Sequence, residues 1–186
     1  MLLFNDIEET LYDNRTLRLF TQVDSRSADY IVSALLALDN ENHKPISLYI
    51  NSGGGEVVSG LAIIDTMNAI KSDVVTYNVG MCASMAAVIL SSGAKRCALP
   101  HSRVMIHQVS AGTEGKVFDM RAALEETERI NKVTMGMLAE NCGTTYEELI
   151  KMTPVDKWMD AEASKKFGIV DEIVGNAHRT PAKAAA

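Results

Sequence analysis

Between Ile46 and Gln108 the chain switches repeatedly between two hydrophobic periods, and that alternation limits the folds open to it more than any other feature. Ile46-Ser47-Leu48-Tyr49-Ile50 reads as a buried strand that stops at Asn51-Ser52 and three glycines. Glu56 to Lys71 follows with Val57, Leu61, Ile64 and Met67 at helical spacing. Asp73 to Val79 is β-branched and bounded by Gly80, a second strand. Ser84 to Leu90 is small and apolar all round, which suits a short helix buried on every side. Arg96 to Leu99 and Arg103 to Gln108 supply further short strands. Strands separated by helices in this way predict an α/β domain with largely parallel pairing.

From about Gly115 to Asn141 the period becomes that of one long helix, with Val117, Met120, Leu124, Ile130, Val133 and Met137 near one face. At 1.5 Å per residue it would be ~40 Å long, more than a domain of this size covers by itself. It either packs across the domain edge or projects toward other copies of the chain. Residues 1–175 are expected to form a single domain, with the long helix over about 115–141. The stretch 176–186, alanine-rich and without a period to bury, is expected to be a flexible tail.

Charge and cysteine content exclude whole classes of function. The 186 residues carry 18 Lys and Arg against 24 Asp and Glu, a net charge of −6, which removes the electrostatic footprint expected for nucleic acid or anionic lipid. Cys82, Cys97 and Cys142 are odd in number and lack a Cys-x-x-Cys pair, so they read as small hydrophobes in a reducing compartment. The most apolar window, Val79 to Leu90, falls well short of the ~20 residues that cross a bilayer. Met1 to Phe4 is too short for a signal segment and runs into Asp6, Glu8 and Glu9. A cytoplasmic protein is expected. Gly112 to Val117 has the wrong spacing for a phosphate loop, and the His and Cys positions match no zinc pattern, so neither a cofactor nor a metal is expected.

Two strand-to-helix junctions remain as places for chemistry. Ser52-Gly53-Gly54-Gly55 can turn its N–H groups outward beside a helix start, where they would hold an anion or a developing oxyanion. An empty tight turn is the plainer reading. At Gly80 to Ala87, Ser84 stands at the mouth of the apolar helix. It is either an ordinary N-cap or a nucleophile whose oxyanion meets the Met85 N–H, with Cys82 as the rival nucleophile. Of the four histidines, His43 lies in a polar loop, His101 in a turn and His178 in the tail. His107 ends a strand and is by elimination the best general base. The acid that would orient it is not fixed by spacing: Asp156, Asp160 and Asp171 all qualify.

Several motifs in the same order carry a resemblance. They are Leu48-Tyr49-Ile50-Asn51-Ser52, Gly54-Gly55, Ala83-Ser84-Met85, Ser102-Arg103-Val104-Met105-Ile106-His107-Gln108 and Phe167-Gly168-Ile169-Val170-Asp171. Over about Leu11 to Val174 the chain resembles the proteolytic subunit of the Clp protease, a self-compartmentalising serine peptidase. The resemblance implies a crotonase-like fold of repeated β-β-α units with a projecting handle helix. It implies Ser84 as nucleophile, His107 as general base and Asp156 as the acid, the last because Asp156-Lys157-Trp158-Met159 takes the place of the family's Asp-Arg-aromatic-aliphatic segment. The oxyanion donors would be the backbone N–H groups of Gly55 and Met85. It further implies endopeptidase action on unfolded proteins or peptides through an acyl-enzyme. Seven-membered rings, possibly two stacked, would enclose the chamber, with an unfoldase ATPase of the Clp type as partner.

Four departures from the family pattern stand out. Gly53 replaces the usual Pro after Asn-Ser, and Pro154-Val155 replaces an acidic-Arg pair that helps couple the rings. Ten residues precede Leu11, fewer than the family's axial loop. Ser47 and Ala69 take places that are often aromatic in the ATPase-docking cleft, although Tyr49 is kept. These departures would suit an ATPase-independent processing protease of the virus head-maturation type. A catalytically silent ring subunit, a coenzyme-A-handling crotonase enzyme and a Ser-Lys peptidase that would use Lys95 are the other readings weighed.

Overall fold

The computed structural model describes residues 4–175; the tail expected at 176–186, with His178, lies outside them. Strands β1 (Thr16–Leu19), β2 (Ile46–Ser52), β3 (Val74–Ala83), β4 (Lys95–Ala98), β5 (Arg103–Ile106), β6 (Lys157–Asp160) and β7 (Glu172–Ile173) form one sheet. Its main path runs β1-β2-β3-β4-β7 with every pair parallel. The α/β, largely parallel expectation is met. Helices α1 (Phe4–Asp13), α2 (Ser25–Glu41), α3 (Val57–Ala69), α4 (Met85–Ser91), α5 (Val117–Asn141), α6 (Tyr146–Met152) and α7 (Ala161–Phe167) complete the chain. Among the described residues no helix is long and apolar enough to cross a membrane.

Strand β2 is half-buried rather than wholly buried. Ile46, Leu48 and Ile50 point into the core, whereas Ser47 and Tyr49 are only partly covered, the alternation a one-sided strand requires. On that more open face Tyr49 stacks on Tyr77 of β3, centroids 4.6 Å apart and planes 9° from parallel.

Strand β3 does not end at Gly80 as its glycine suggested. Its first half, Val75 to Asn78, pairs with β4, and its second half, Met81 to Ala83, pairs with β5. Asn78 sits fully buried at the fork. Its Nδ2 donates to the Arg103 carbonyl at 2.9 Å, its Oδ1 accepts from the Gly80 N–H at 3.3 Å, and its own carbonyl accepts from the Leu99 N–H at 2.9 Å. Gly80 is needed for a different reason. A Cβ there would stand 2.5 Å from Asn51 Oδ1, which accepts the Met81 N–H at 3.1 Å where the β2–β3 register shifts.

Helix α5 spans Val117–Asn141, and of its apolar stripe Met137, near the C-terminal end, packs against the core. Its buried residues are Thr134, Met135, Leu138 and Ala139, all in the last turns. Val117, Phe118 and Leu124 are 71%, 83% and 56% exposed. Of its roughly 37 Å of length, the N-terminal half therefore stands clear of the body, because a period of 3.6 marks an apolar stripe without saying what covers it.

Arg15 ties the start of the sheet together, and sequence periodicity offers no hint of it. Its guanidinium donates to the carbonyls of Leu38 (2.9 Å), Asn42 (3.0 Å), Lys44 (2.9 Å) and Pro45 (3.4 Å), and to Ser72 Oγ (3.2 Å). Two of these are carbonyls at the α2 C-terminus, Leu38 and Asn42, which Arg15 shares with the Asn42 N–H and Ser72 Oγ respectively. Alongside, Asp39 accepts from Ser72 Oγ and N–H, the Lys71 N–H and the His43 ring. Desolvation pushes its carboxyl up, but the bonds from Ser72, His43 and Lys71 outweigh this and hold the pKa at about 2, against an ordinary 3.8.

Replacing Arg15 by Ala should cost about 2 kcal/mol in urea unfolding, because four carbonyls and the part-buried Ser72 Oγ lose a charged donor together. For Asp39 the folded pKa lies below the unfolded value, so its contribution is complete above pH ~4 and fades as pH falls toward ~2. The stability gap between wild type and Asp39→Asn, measured by thermal melts, should narrow over that window.

Candidate active site

The site forms where β3 turns into α4. Ser84 has φ 54° and ψ −125°, a positive-φ conformation that a non-glycine residue adopts at a cost of about 1–3 kcal/mol. Its N–H donates to the Met105 carbonyl at 2.9 Å, and its carbonyl accepts from the N–H groups of Ala87 (2.9 Å) and Val88 (3.4 Å). The corner is thus clamped by β5 on one side and α4 on the other. All seven residues of α4 are buried, as the apolar sequence predicted, so the corner cannot relax without exposing Ile89 and Leu90. Ser84 occupies the N-cap position, yet its side chain caps nothing. Its Oγ lies 2.7 Å from His107 Nε2 instead.

His107 comes directly after β5. The β5–β6 ladder is antiparallel and pairs Ile106 with Lys157, which sets the next residues along, His107 and Asp156, beside each other. The Nδ1 of His107 is 3.6 Å from Asp156 Oδ1, with the carboxylate side chain 59% exposed. The other two acids are engaged elsewhere. Asp160 caps α7 by accepting the Ala163 N–H at 2.8 Å. Asp171 is bidentate to Arg96, and that guanidinium holds its carboxyl below the usual range. Sequence spacing left three acids open because the ladder register that separates them is a long-range property.

The rival groups fall away for physical reasons. Cys82 is fully buried, and burial pushes its thiol well above the ordinary cysteine range, so it stays protonated and shielded. His43 pairs with Asp39 at 3.1 Å. Lys95 pairs with Glu172 at 2.6 Å and lies opposite Val75, roughly 25–30 Å along β3 from Ser84 at ~3.3 Å per residue.

The glycine turn lies against the serine corner. Val23, an isolated parallel bridge partner of Gly55, donates its N–H to the Gly54 carbonyl (2.9 Å) and accepts the Glu56 N–H (2.8 Å). Ladder parity then turns the Gly55 N–H away from Val23. Gly54 has φ +89°, and a Cβ there would fall 2.8 Å from Ser84 Cβ and 2.9 Å from the Met85 nitrogen. Met85 begins α4, where first-turn N–H groups have no intrahelical acceptor. A cavity of about 220 Å³ opens beside Ser84, His107 and Gly55, with apolar walls from Val88, Met135 and Leu138 among others. That α5 would supply a wall was not readable from its sequence, because it requires knowing which face packs.

The sequence model of the family described as Clp protease matches residues 3–177. The chain belongs to the Clp protease family. Proteins named ATP-dependent Clp protease proteolytic subunit from two strains of Bacteroides fragilis are 42% identical over 172 residues, 91% of this chain and 83% or 78% of theirs. One of the same name from Bacteroides thetaiotaomicron is 42% identical over 172 residues, with 91% of this chain and 78% of the relative covered. The mixed α/β sheet fits the fold of the Clp protease family, and membership of a proteolytic-subunit family supports a protease.

Within this Clp-family frame Gly53 is the tolerant member of the glycine turn. Its φ lies outside the positive region, and a Cβ would meet only Met81 Cε, at 3.8 Å. Gly53→Ala should therefore leave activity intact and raise stability by about 0.4–1 kcal/mol. Gly54→Ala should lower peptide hydrolysis by at least roughly 100-fold, since the serine corner must shift. Equal activity in the two variants would contradict the packing described.

Proposed function

We propose that the chain is a serine endopeptidase acting on unfolded proteins or peptides, and the contact that carries this reading is Ser84 Oγ to His107 Nε2 at 2.7 Å. Neutral His107 takes the hydroxyl proton through Nε2 as Ser84 Oγ bonds to the scissile carbonyl carbon. Asp156, facing Nδ1, orients the ring and stabilises the imidazolium that results. The oxyanion is met by the N–H groups of Gly55 and Met85, whose backbones flank the serine. His107 then returns the proton to the departing amine. Water, deprotonated by the same imidazole, attacks the acyl-enzyme and releases Ser84. The apolar cavity beside the serine receives a substrate side chain.

The chain works as part of a ring of seven, with two rings stacking, around a closed chamber. The exposed N-terminal half of α5, with Val117, Phe118 and Leu124, supports its use as the handle between copies. An unfoldase ATPase of the Clp type is the proposed partner, supported by the name ATP-dependent Clp protease proteolytic subunit that the relatives carry. A cytoplasmic location goes with that partnership.

Intact mass after treatment with a fluorophosphonate tests the reading. One adduct on wild type and none on Ser84→Ala is expected, with peptide hydrolysis by Ser84→Ala and His107→Ala down roughly 10⁴–10⁶-fold and by Asp156→Asn less. Hydrolysis undiminished in Ser84→Ala would overturn the proposal.

A further inference from the structure

We infer that Asn131 is a positioning residue for substrate binding, an inference that rests on the serine-peptidase reading and extends it to a residue outside the Ser84–His107–Asp156 contacts. Beyond Ile106 the β5–β6 ladder has ended, so the segment after His107 has no strand to receive its backbone groups on that side. Gln108 reaches Thr153 with its side chain, Nε2 to carbonyl oxygen at 3.4 Å. The half-buried Val109 N–H donates to Asn131 Oδ1 of α5 at 2.9 Å. From Ser110 to Glu126 every residue is exposed. Val109 is therefore the last anchored point before a long stretch with little to hold it.

Asn131 precedes Thr134, Met135 and Leu138 by three, four and seven residues, which puts it on the same helix face. That face is one wall of the cavity beside Ser84, and Val109 and Ser110 line the same cavity. The Asn131 amide oxygen thus fixes the gap between the α5 wall and the chain that leads away from His107. Without the clip the Val109–Ser110 wall swings free and the cavity loses its defined width. Ser84 and His107, held by the Met105 carbonyl and the β5–β6 register, stay where they are.

Three measurements on the full chain test this, using Asn131→Leu, which keeps the bulk and removes the acceptor, and Asn131→Asp, which keeps an acceptor. With a peptide carrying Leu before the scissile bond, Asn131→Leu should raise KM roughly ten-fold while kcat changes by less than about three-fold. Labelling of Ser84 by a small alkyl fluorophosphonate, which leaves the cavity empty, should stay within about two-fold of wild type. Amide hydrogen exchange at Val109 should speed up in Asn131→Leu and remain slow in Asn131→Asp, whose KM should stay near wild type. Unchanged KM or unchanged Val109 exchange in Asn131→Leu would overturn the inference. So would an equal fall of labelling and hydrolysis in both variants, the mark of a general structural role. Wild type that fails to label at Ser84 would instead overturn the peptidase reading, and the substrate-binding role of the clip with it, even where Val109 exchange responds.

Discussion

The fork in β3 is the constraint on which the rest of the site depends. A strand that paired with β4 along its whole length would leave no edge for β5, and His107 would have no route to Ser84. The buried Asn78 amide makes the divergence tolerable. It satisfies the Arg103 carbonyl and the Gly80 N–H just where the ladder to β4 has stopped and the ladder to β5 has not begun. Buried peptide groups without partners would each cost about 1–3 kcal/mol, which is comparable to the strain stored one turn further on.

That strain sits at Ser84. A positive φ in a serine costs about 1–3 kcal/mol, while full burial of Ile89 and Leu90 alone contributes about 1.5–3 kcal/mol each. The balance favours the strained corner, provided α4 stays sealed in the core. Gly60 of α3 contributes to that seal, since any side chain there would collide with Met85 at the head of α4. The Ser84 hydroxyl is thus presented by a helix that is itself inaccessible, an arrangement that gives precision without needing a loop to hold it.

The molecule divides into a well-packed body and an uncommitted extension. The body closes on itself through the Arg15–Asp39 knot at one end of the sheet and the Arg96–Asp171 pair at the other. The first half of α5 has no such closure, and its large apolar residues stand in solvent. Its last turns do the opposite and supply a wall of the cavity. One helix therefore joins an exposed apolar surface to a wall of the cavity beside Ser84.

Local periodicity was enough for much of this. The apolar segment after Ser84, the β-branched run before it and the three glycines after Ser52 each have a short-range cause, so the strand-turn-helix junctions that carry the site were legible in the sequence. Elements such as β1, β6, β7 and α2 carry weaker local patterns, although the capping box of Asp24 and Ser27 marks the start of α2. What no local pattern contains is which acid meets His107, which face of α5 packs, and where β3 forks. These depend on ladder register and on contacts between segments tens of residues apart, whose energies exist only once the chain has folded. Short-range pattern alone places a serine at a tight corner before an apolar helix. Tertiary structure decided that His107 and Asp156 would be brought to it, because only the antiparallel pairing of β5 with β6 sets those two side chains next to one another.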